Sequence, residues 1–191
     1  MDRDGVLNEL VYDKEGGRVA SPVSAKQLVV STYAPDAVEK IRNLGFKSIV
    51  ISNQPGVAKK QFTLRELSRM NEKIRSELRD EGASIDAEYY CLHHPNALIK
   101  RYRVNCDCRK PKPGLLLKAA KECQLDLKNS YFVGDSLIDV KAGKAAGCKT
   151  ILIATMTDLL NRVISTEKAE PDYLVRNLSE VPNLLSDLAK G

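Results

Sequence analysis

Tyr131-Phe132-Val133-Gly134-Asp135-Ser136-Leu137-Ile138-Asp139 holds a strand, its end and the start of a helix in one short run. Tyr131-Phe132-Val133 is apolar, aromatic and β-branched, the composition of a buried strand. Gly134 ends it and Asp135 stands at its carboxyl end. Leu137 to Ala146 then takes up helical spacing until Gly147 stops it. A strand feeding directly into a helix is half of a βαβ unit, the unit that builds parallel sheet. Lys149 to Ile153 supplies the next strand.

The same alternation extends outward in both directions. Pro35 to Leu44 reads as a helix, with Val38, Ile41 and Leu44 on one face and Gly45 after it. Phe46 to Ser52 is a strand that runs into the turn-rich Asn53-Gln54-Pro55-Gly56. Thr63 with Glu66 forms a capping box ahead of a helix carrying Leu67, Met70, Ile74 and Leu78 and ending near Gly82. Ile85 to Cys91 is a short strand, Leu115 to Cys123 a helix, Asp172 to Val175 a strand and Leu178 to Leu188 a last helix. Residues 1–33 read as loop. The expected fold is therefore α/β: a doubly wound, Rossmann-like parallel sheet with helices on both faces, in one domain spanning 1–191. Asp2-Arg3-Asp4-Gly5 has the look of a further strand end, yet no strand precedes it. The first strand is missing, which reads as a truncated or misassigned start.

The composition narrows the function. Of the 191 residues, 43% are hydrophobic and 29% charged, which excludes disorder and fibrous repeats. No apolar run approaches the ~20 residues of a membrane span. The charged N-terminus is no signal peptide, so a cytoplasmic location is expected. A net charge of +5 suits a small anionic substrate and falls short of a dedicated nucleic-acid binder. The five cysteines are an odd count, and in a reducing compartment clustered thiols point to metal or catalysis.

Strand ends are where such sheets bind ligands, and the polar clusters lie there. Asp2 and Asp4 can act as nucleophile and general acid/base, hold Mg²⁺ through oxygen, or be a solvated pair. Asp135 and Asp139 form a second acidic end; a helix N-terminus also favours both, Asp139 above all as a surface first-turn residue. Ser52-Asn53-Gln54 offers donors, and Arg109-Lys110-Pro111 offers fixed positive charge, together the needs of a phosphoryl group. Cys91-x-His93 and, twelve residues on, Cys106-x-Cys108 make three thiolates and an imidazole, a closed structural Zn²⁺ set that would pin the loop 91–113. His94 could replace His93 in that set. Cys123 and Cys148 read as core residues, and Lys100 to Arg103 as a solvated basic edge.

Asp2-Arg3-Asp4-Gly5-Val6-Leu7-Asn8, Ser52-Asn53-Gln54-Pro55-Gly56, Cys106-Asp107-Cys108-Arg109-Lys110-Pro111 and Val133-Gly134-Asp135 resemble, in order, the four motifs of the haloacid-dehalogenase superfamily. The resemblance is to its histidinol-phosphatase-like branch and within it to the D,D-heptose 1,7-bisphosphate 7-phosphatases. It implies Mg²⁺-dependent phosphomonoester hydrolysis through an aspartyl-phosphate. By this match Asp2 is the nucleophile and Asp4 the acid, then the base. Mg²⁺ sits on Asp2, the Asp4 carbonyl and Asp135. Ser52 and Lys110 hold the phosphoryl group, Asn53 and Arg109 contact substrate, and Zn²⁺ sits on Cys91, His93, Cys106 and Cys108. Departures are the missing strand, a longer Glu9–Tyr33 segment, and Ser136 where a substrate-contacting Lys is usual. The expected partner is a small phosphorylated metabolite and the expected state a monomer. Competing readings are a histidinol-phosphate phosphatase, a nucleic-acid 3′-phosphatase, and a zinc-stabilised binding module without turnover.

Overall fold

The computed structural model describes residues 1–14, 16–154 and 170–190. In chain order the elements are β1 (Val11–Asp13), β2 (Arg18–Ala20), α1 (Ala34–Asn43), β3 (Ile49–Asn53), α2 (Leu64–Asp80), β4 (Ala87–Cys91), α3 (Gly114–Cys123), β5 (Tyr131–Gly134), α4 (Leu137–Ala146), β6 (Lys149–Ile153), β7 (Tyr173–Val175) and α5 (Val181–Leu188). The expected strands and helices of the α/β alternation are all present, with ends shifted by a few residues. Residues 1–33 are not all loop: β1 and β2 form an antiparallel hairpin. Its strands are three residues long and largely exposed, so they carry no clear apolar alternation for a sequence reading to find.

β3 pairs in parallel with β4, and β5, β6 and β7 pair in parallel in that order. Alternation along each strand feeds two cores, one on each face. Val50 and Val133 pack with Val38 and Ile41 of α1, Met70 of α2 and Leu185 of α5. Ile49, Ile51 and Phe132 pack on the other face with Leu115 and Ala119 of α3 and Ala142 of α4. Helices thus cover both faces, as expected of a doubly wound sheet.

Met1 and Asp2 carry backbone hydrogen bonds to both parallel ladders. The Met1 amino group donates to the Ile49 carbonyl at 2.7 Å, and Ile51 N–H donates to the Met1 carbonyl at 2.9 Å. Asp2 N–H donates to the Val133 carbonyl at 2.8 Å. Met1 therefore occupies one rung of a central strand between β3 and β5. Behind it lies a cavity of about 400 Å³ lined by Ile49, Ile51, Leu116, Phe132, Phe46 and Leu185 among others. The cavity continues the line of Met1 as a slot between β3 and β5.

Thr63 caps α2 as expected, its hydroxyl accepting from Glu66 N–H at 3.1 Å. The reciprocal half of the capping box does not form. Glu66 instead accepts from Ala25 N–H at 2.8 Å, tying the segment before α1 to α2.

Candidate active site

The carboxyl ends of β3, β4 and β5 and the turn after Asp2 bring the sequence clusters together. Lys110 is buried at the centre. Its Nζ lies 2.9 Å from Asp2 Oδ2 and 2.6 Å from Asp139 Oδ1, and donates to the Ile51 carbonyl at 3.0 Å. Burial opposes charge on Lys110, but the two carboxylates outweigh it and hold its ammonium above the usual lysine range. Burial also raises Asp2, against the pull of Lys110; Asp139 adds to the rise, while a hydrogen bond from Ser52 favours the carboxylate.

Asp2, Asp135 and Asp139 present oxygens within 4.8 Å of one another. Asp135 is pushed up to about 7, first by burial and then by Asp139 and Asp2. Two glycines make room for this crowding. A Cβ on Gly5, whose φ is +76°, would collide with the Asp135 carboxylate, and one on Gly134 would collide with Asp139. Three carboxylates around one lysine leave negative charge uncompensated, and all the donors are hard oxygens. That set fits a Mg²⁺ ion.

Asp139 is the residue the sequence reading understated. It does cap α4: Ser136 N–H and the Ser136 hydroxyl both donate to its Oδ2, at 3.2 and 2.6 Å. Its other oxygen reaches inward to Lys110, and it is buried rather than on the surface. The Ser136 hydroxyl is thereby committed to Asp139.

Asp4 sits in a separate, fully built socket. Its Oδ1 accepts from Arg3 Nε at 3.0 Å and Nη2 at 2.8 Å, and its Oδ2 from Gln54 Nε2 at 2.8 Å. Gln54 Nε2 also reaches Ser52 Oγ at 3.2 Å, and Arg3 Nη1 donates to Asn71 Oδ1 at 2.9 Å. The chain-level reading assigned no role to Arg3 or Asn71. The one available signal for Asn71 is its place four residues after Leu67, on the apolar stripe of α2.

Asn53 pairs with the Lys110 backbone, donating to its carbonyl and accepting from its N–H, both at 3.1 Å. Its amide positions the Lys110 loop. Arg109 Nη1 donates to the His93 carbonyl at 3.1 Å. In the basic run, Arg101 lies over the Tyr102 ring, 4.8 Å from its centroid, and Arg103 donates to the Ala97 carbonyl.

Cys91, His93, Cys106 and Cys108 converge as the spacing predicts. Cys108 Sγ lies 3.2 Å from Cys91 Sγ, 3.1 Å from Cys106 Sγ and 3.3 Å from His93 Nδ1. His94 is not part of the cluster; its Nδ1 accepts from Asn96 N–H at 3.0 Å. Three sulfurs and one imidazole nitrogen fit a tetrahedral Zn²⁺. Gln54 N–H donates to the Cys91 carbonyl at 2.7 Å, so this cluster and the acidic site share a strand end. A cleft of about 900 Å³ opens between the β1–β2 hairpin and the loop after β3, lined by Arg18, Asn53, Gln54, Lys59 and Phe62 among others.

Known proteins are similar to this chain in sequence and fold. The chain is 32% identical, over 100% of its length and 95% of the relative's, to the D-glycero-beta-D-manno-heptose-1,7-bisphosphate 7-phosphatase of Salmonella typhi. The chain belongs to the heptose-bisphosphate phosphatase family. It is 34% identical to the Escherichia coli K12 enzyme of the same name over 81% of this chain and 80% of that one. A HAD-hyrolase-like family model matches residues 107–181. The fold matches a D,D-heptose 1,7-bisphosphate phosphatase from B. bronchiseptica, crystallised with magnesium and phosphate, with a TM-score of 0.80 at 26% identity, covering 98% of this chain and 96% of that one. The protein is a phosphatase of the HAD-like hydrolases. Among its described residues, no helix is long and apolar enough to cross a membrane.

Proposed function

We propose that this phosphatase removes the 7-phosphate of D-glycero-D-manno-heptose 1,7-bisphosphate. The observation that carries the mechanism is the buried Lys110 held between Asp2 and Asp139, next to the Asp135 carboxylate. An Asp2 oxygen attacks phosphorus and the bond from phosphorus to the sugar oxygen breaks. Asp4 gives its proton to the departing alkoxide. Water then attacks the aspartyl-phosphate, Asp4 takes the proton, and the Asp2–phosphorus bond breaks to release phosphate. Lys110 and Ser52 offset charge on the phosphoryl oxygens, and Asn53 sets the Lys110 backbone. Positioning and charge neutralisation supply most of the catalysis in such transfers.

Asp2, Asp135 and the Asp4 main-chain carbonyl would hold Mg²⁺, with Asp139 beside them. The ion would neutralise the carboxylates and polarise the phosphoryl group. Cys91, His93, Cys106 and Cys108 would hold Zn²⁺ as a structural ion that fixes the loop bearing Arg109 and Lys110. The cleft beneath the hairpin gives room for a sugar, and Arg109, next to Lys110 in the chain, would meet its second phosphate, since an Arg fork suits phosphate oxygens.

A substrate panel tests the reading: heptose 1,7-bisphosphate in both anomers, other sugar bisphosphates, the matching monophosphates, histidinol phosphate and a 3′-phosphorylated oligonucleotide. Heptose bisphosphate should give the highest kcat/KM. Faster turnover of histidinol phosphate would overturn the substrate, and a steeply salt-dependent preference for the oligonucleotide would move it to nucleic acid.

A further inference from the structure

Gln54 is a neutral, buried side chain that touches two chemically active groups at once. Its amide nitrogen donates one hydrogen to Asp4 Oδ2 at 2.8 Å and lies 3.2 Å from Ser52 Oγ. Its backbone N–H donates to the Cys91 carbonyl, and the side chain is buried between its two partners, which leaves the amide little freedom. We infer that Gln54 is a positioning residue that selects which Asp4 oxygen exchanges the proton and which way the Ser52 hydroxyl points. The inference rests on the acid/base role proposed for Asp4.

The lone pairs decide the first part. Asp4 Oδ1 accepts two hydrogens from Arg3, a permanently charged donor, and so has no lone pair left for a proton. Asp4 Oδ2 accepts one hydrogen from Gln54 and keeps one lone pair. The proton given to the alkoxide, and later taken from water, is therefore carried on Oδ2. Without the Gln54 donor the carboxylate is held on one side only and can turn about its bond to Cβ, which misaims that lone pair.

Ser52 follows the same reasoning. A hydroxyl has one hydrogen and two acceptor sites. Accepting from Gln54 leaves its own hydrogen to be donated elsewhere. A phosphoryl oxygen arriving at Asp2 would meet a hydroxyl already turned to donate. One amide thus prepares both the proton carrier and a phosphoryl donor. Arg3 is anchored in turn through Asn71 of α2, so the socket is braced from a second element.

The test separates proton delivery from simple loss of structure. A sugar alkoxide needs a proton to leave, whereas nitrophenolate leaves readily without one. The comparison is kcat/KM, which ends at phosphoenzyme formation, on the fastest sugar phosphate of the panel and on p-nitrophenyl phosphate. Gln54→Leu should lower the first on the order of tenfold to a hundredfold, a fraction of what a positioned general acid supplies, and the second only a few-fold. KM for the sugar phosphate should change little. Gln54→Met, of similar length but without an N–H or O–H donor, should show the same contrast and serves if the leucine variant does not fold. Asp4→Asn is the reference and should show the contrast in full. Equal losses on both substrates in the Gln54 variants, or no loss, with the contrast intact in Asp4→Asn, would overturn the role of Gln54 alone. An Asp4→Asn enzyme without the contrast would overturn the acid/base reading of Asp4 and this inference with it.

Discussion

Joining a short apolar strand ahead of Met1, for example four residues drawn from Val, Ile and Leu, should stabilise the protein. The slot fixes the register. Met1 N–H and C=O pair with Ile49 and Ile51, and Asp2 N–H pairs with Val133. In a parallel ladder the residue before Met1 would then accept from Val133 N–H and donate to the Tyr131 carbonyl, and the one before that would accept from Ile49 N–H. Their side chains would alternate between the face of Ile49, Phe132 and Leu116 and the face of Val133 and Ile41. About three side chains would fill the cavity of about 400 Å³. With ~2 kcal/mol for each apolar side chain, ~1 kcal/mol for each of three hydrogen bonds and ~1.5 kcal/mol lost per ordered residue, the net gain is about 3 kcal/mol. For a domain of this size that corresponds to roughly 6–12 °C in Tm. The assay is thermal unfolding of both proteins, with a third bearing four Ser or Gly residues as control. An equal Tm for the apolar and polar extensions would refute the argument, because the slot would then gain nothing from apolar strand.

Asp2→Asn should abolish phosphate release from every substrate while leaving Tm within about 2 °C, since it removes the nucleophile; retained turnover would exclude the covalent route. Protein purified without chelator should contain about one Zn²⁺ per chain by elemental analysis, and Cys106→Ser should lose it and lower activity through the Arg109–Lys110 loop; retained zinc would move the ligand set. Arg109→Ala should erase most of the preference for bisphosphates over monophosphates, with monophosphate kcat/KM nearly unchanged, because it removes remote binding. Asp172 accepts from Thr150 N–H and Oγ1 and pairs with Lys144; these bonds outweigh its burial and hold its carboxyl below the usual carboxylate range. Its contribution is present above the unfolded value and lost as pH falls through the folded one. The stability difference between wild type and Asp172→Asn should therefore be about 1–2 kcal/mol at pH 7 and vanish in strong acid, read by urea unfolding.

The alternation of apolar runs with turn residues determined the α/β fold, because buried parallel strands and amphipathic helices each leave a period in the chain. The Cys91/His93/Cys106/Cys108 set was legible for a similar reason, because few other arrangements need three thiols and an imidazole at that spacing, whereas the spacing of Asp2 and Asp135 left several readings open and their roles came from the resemblance. What the chain could not show is direction. Asp139 caps a helix with one oxygen and grips Lys110 with the other, and no local pattern distinguishes that from an ordinary cap. Asn53 pairs with the Lys110 backbone, while Gln54 and Arg3 hold Asp4 and Asn71 of α2 holds Arg3. Those contacts rest on how β3, the loop after Asp2 and α2 pack against one another. Side-chain direction in a buried polar site is set by the partners available in space, and such partners leave no periodicity in the sequence.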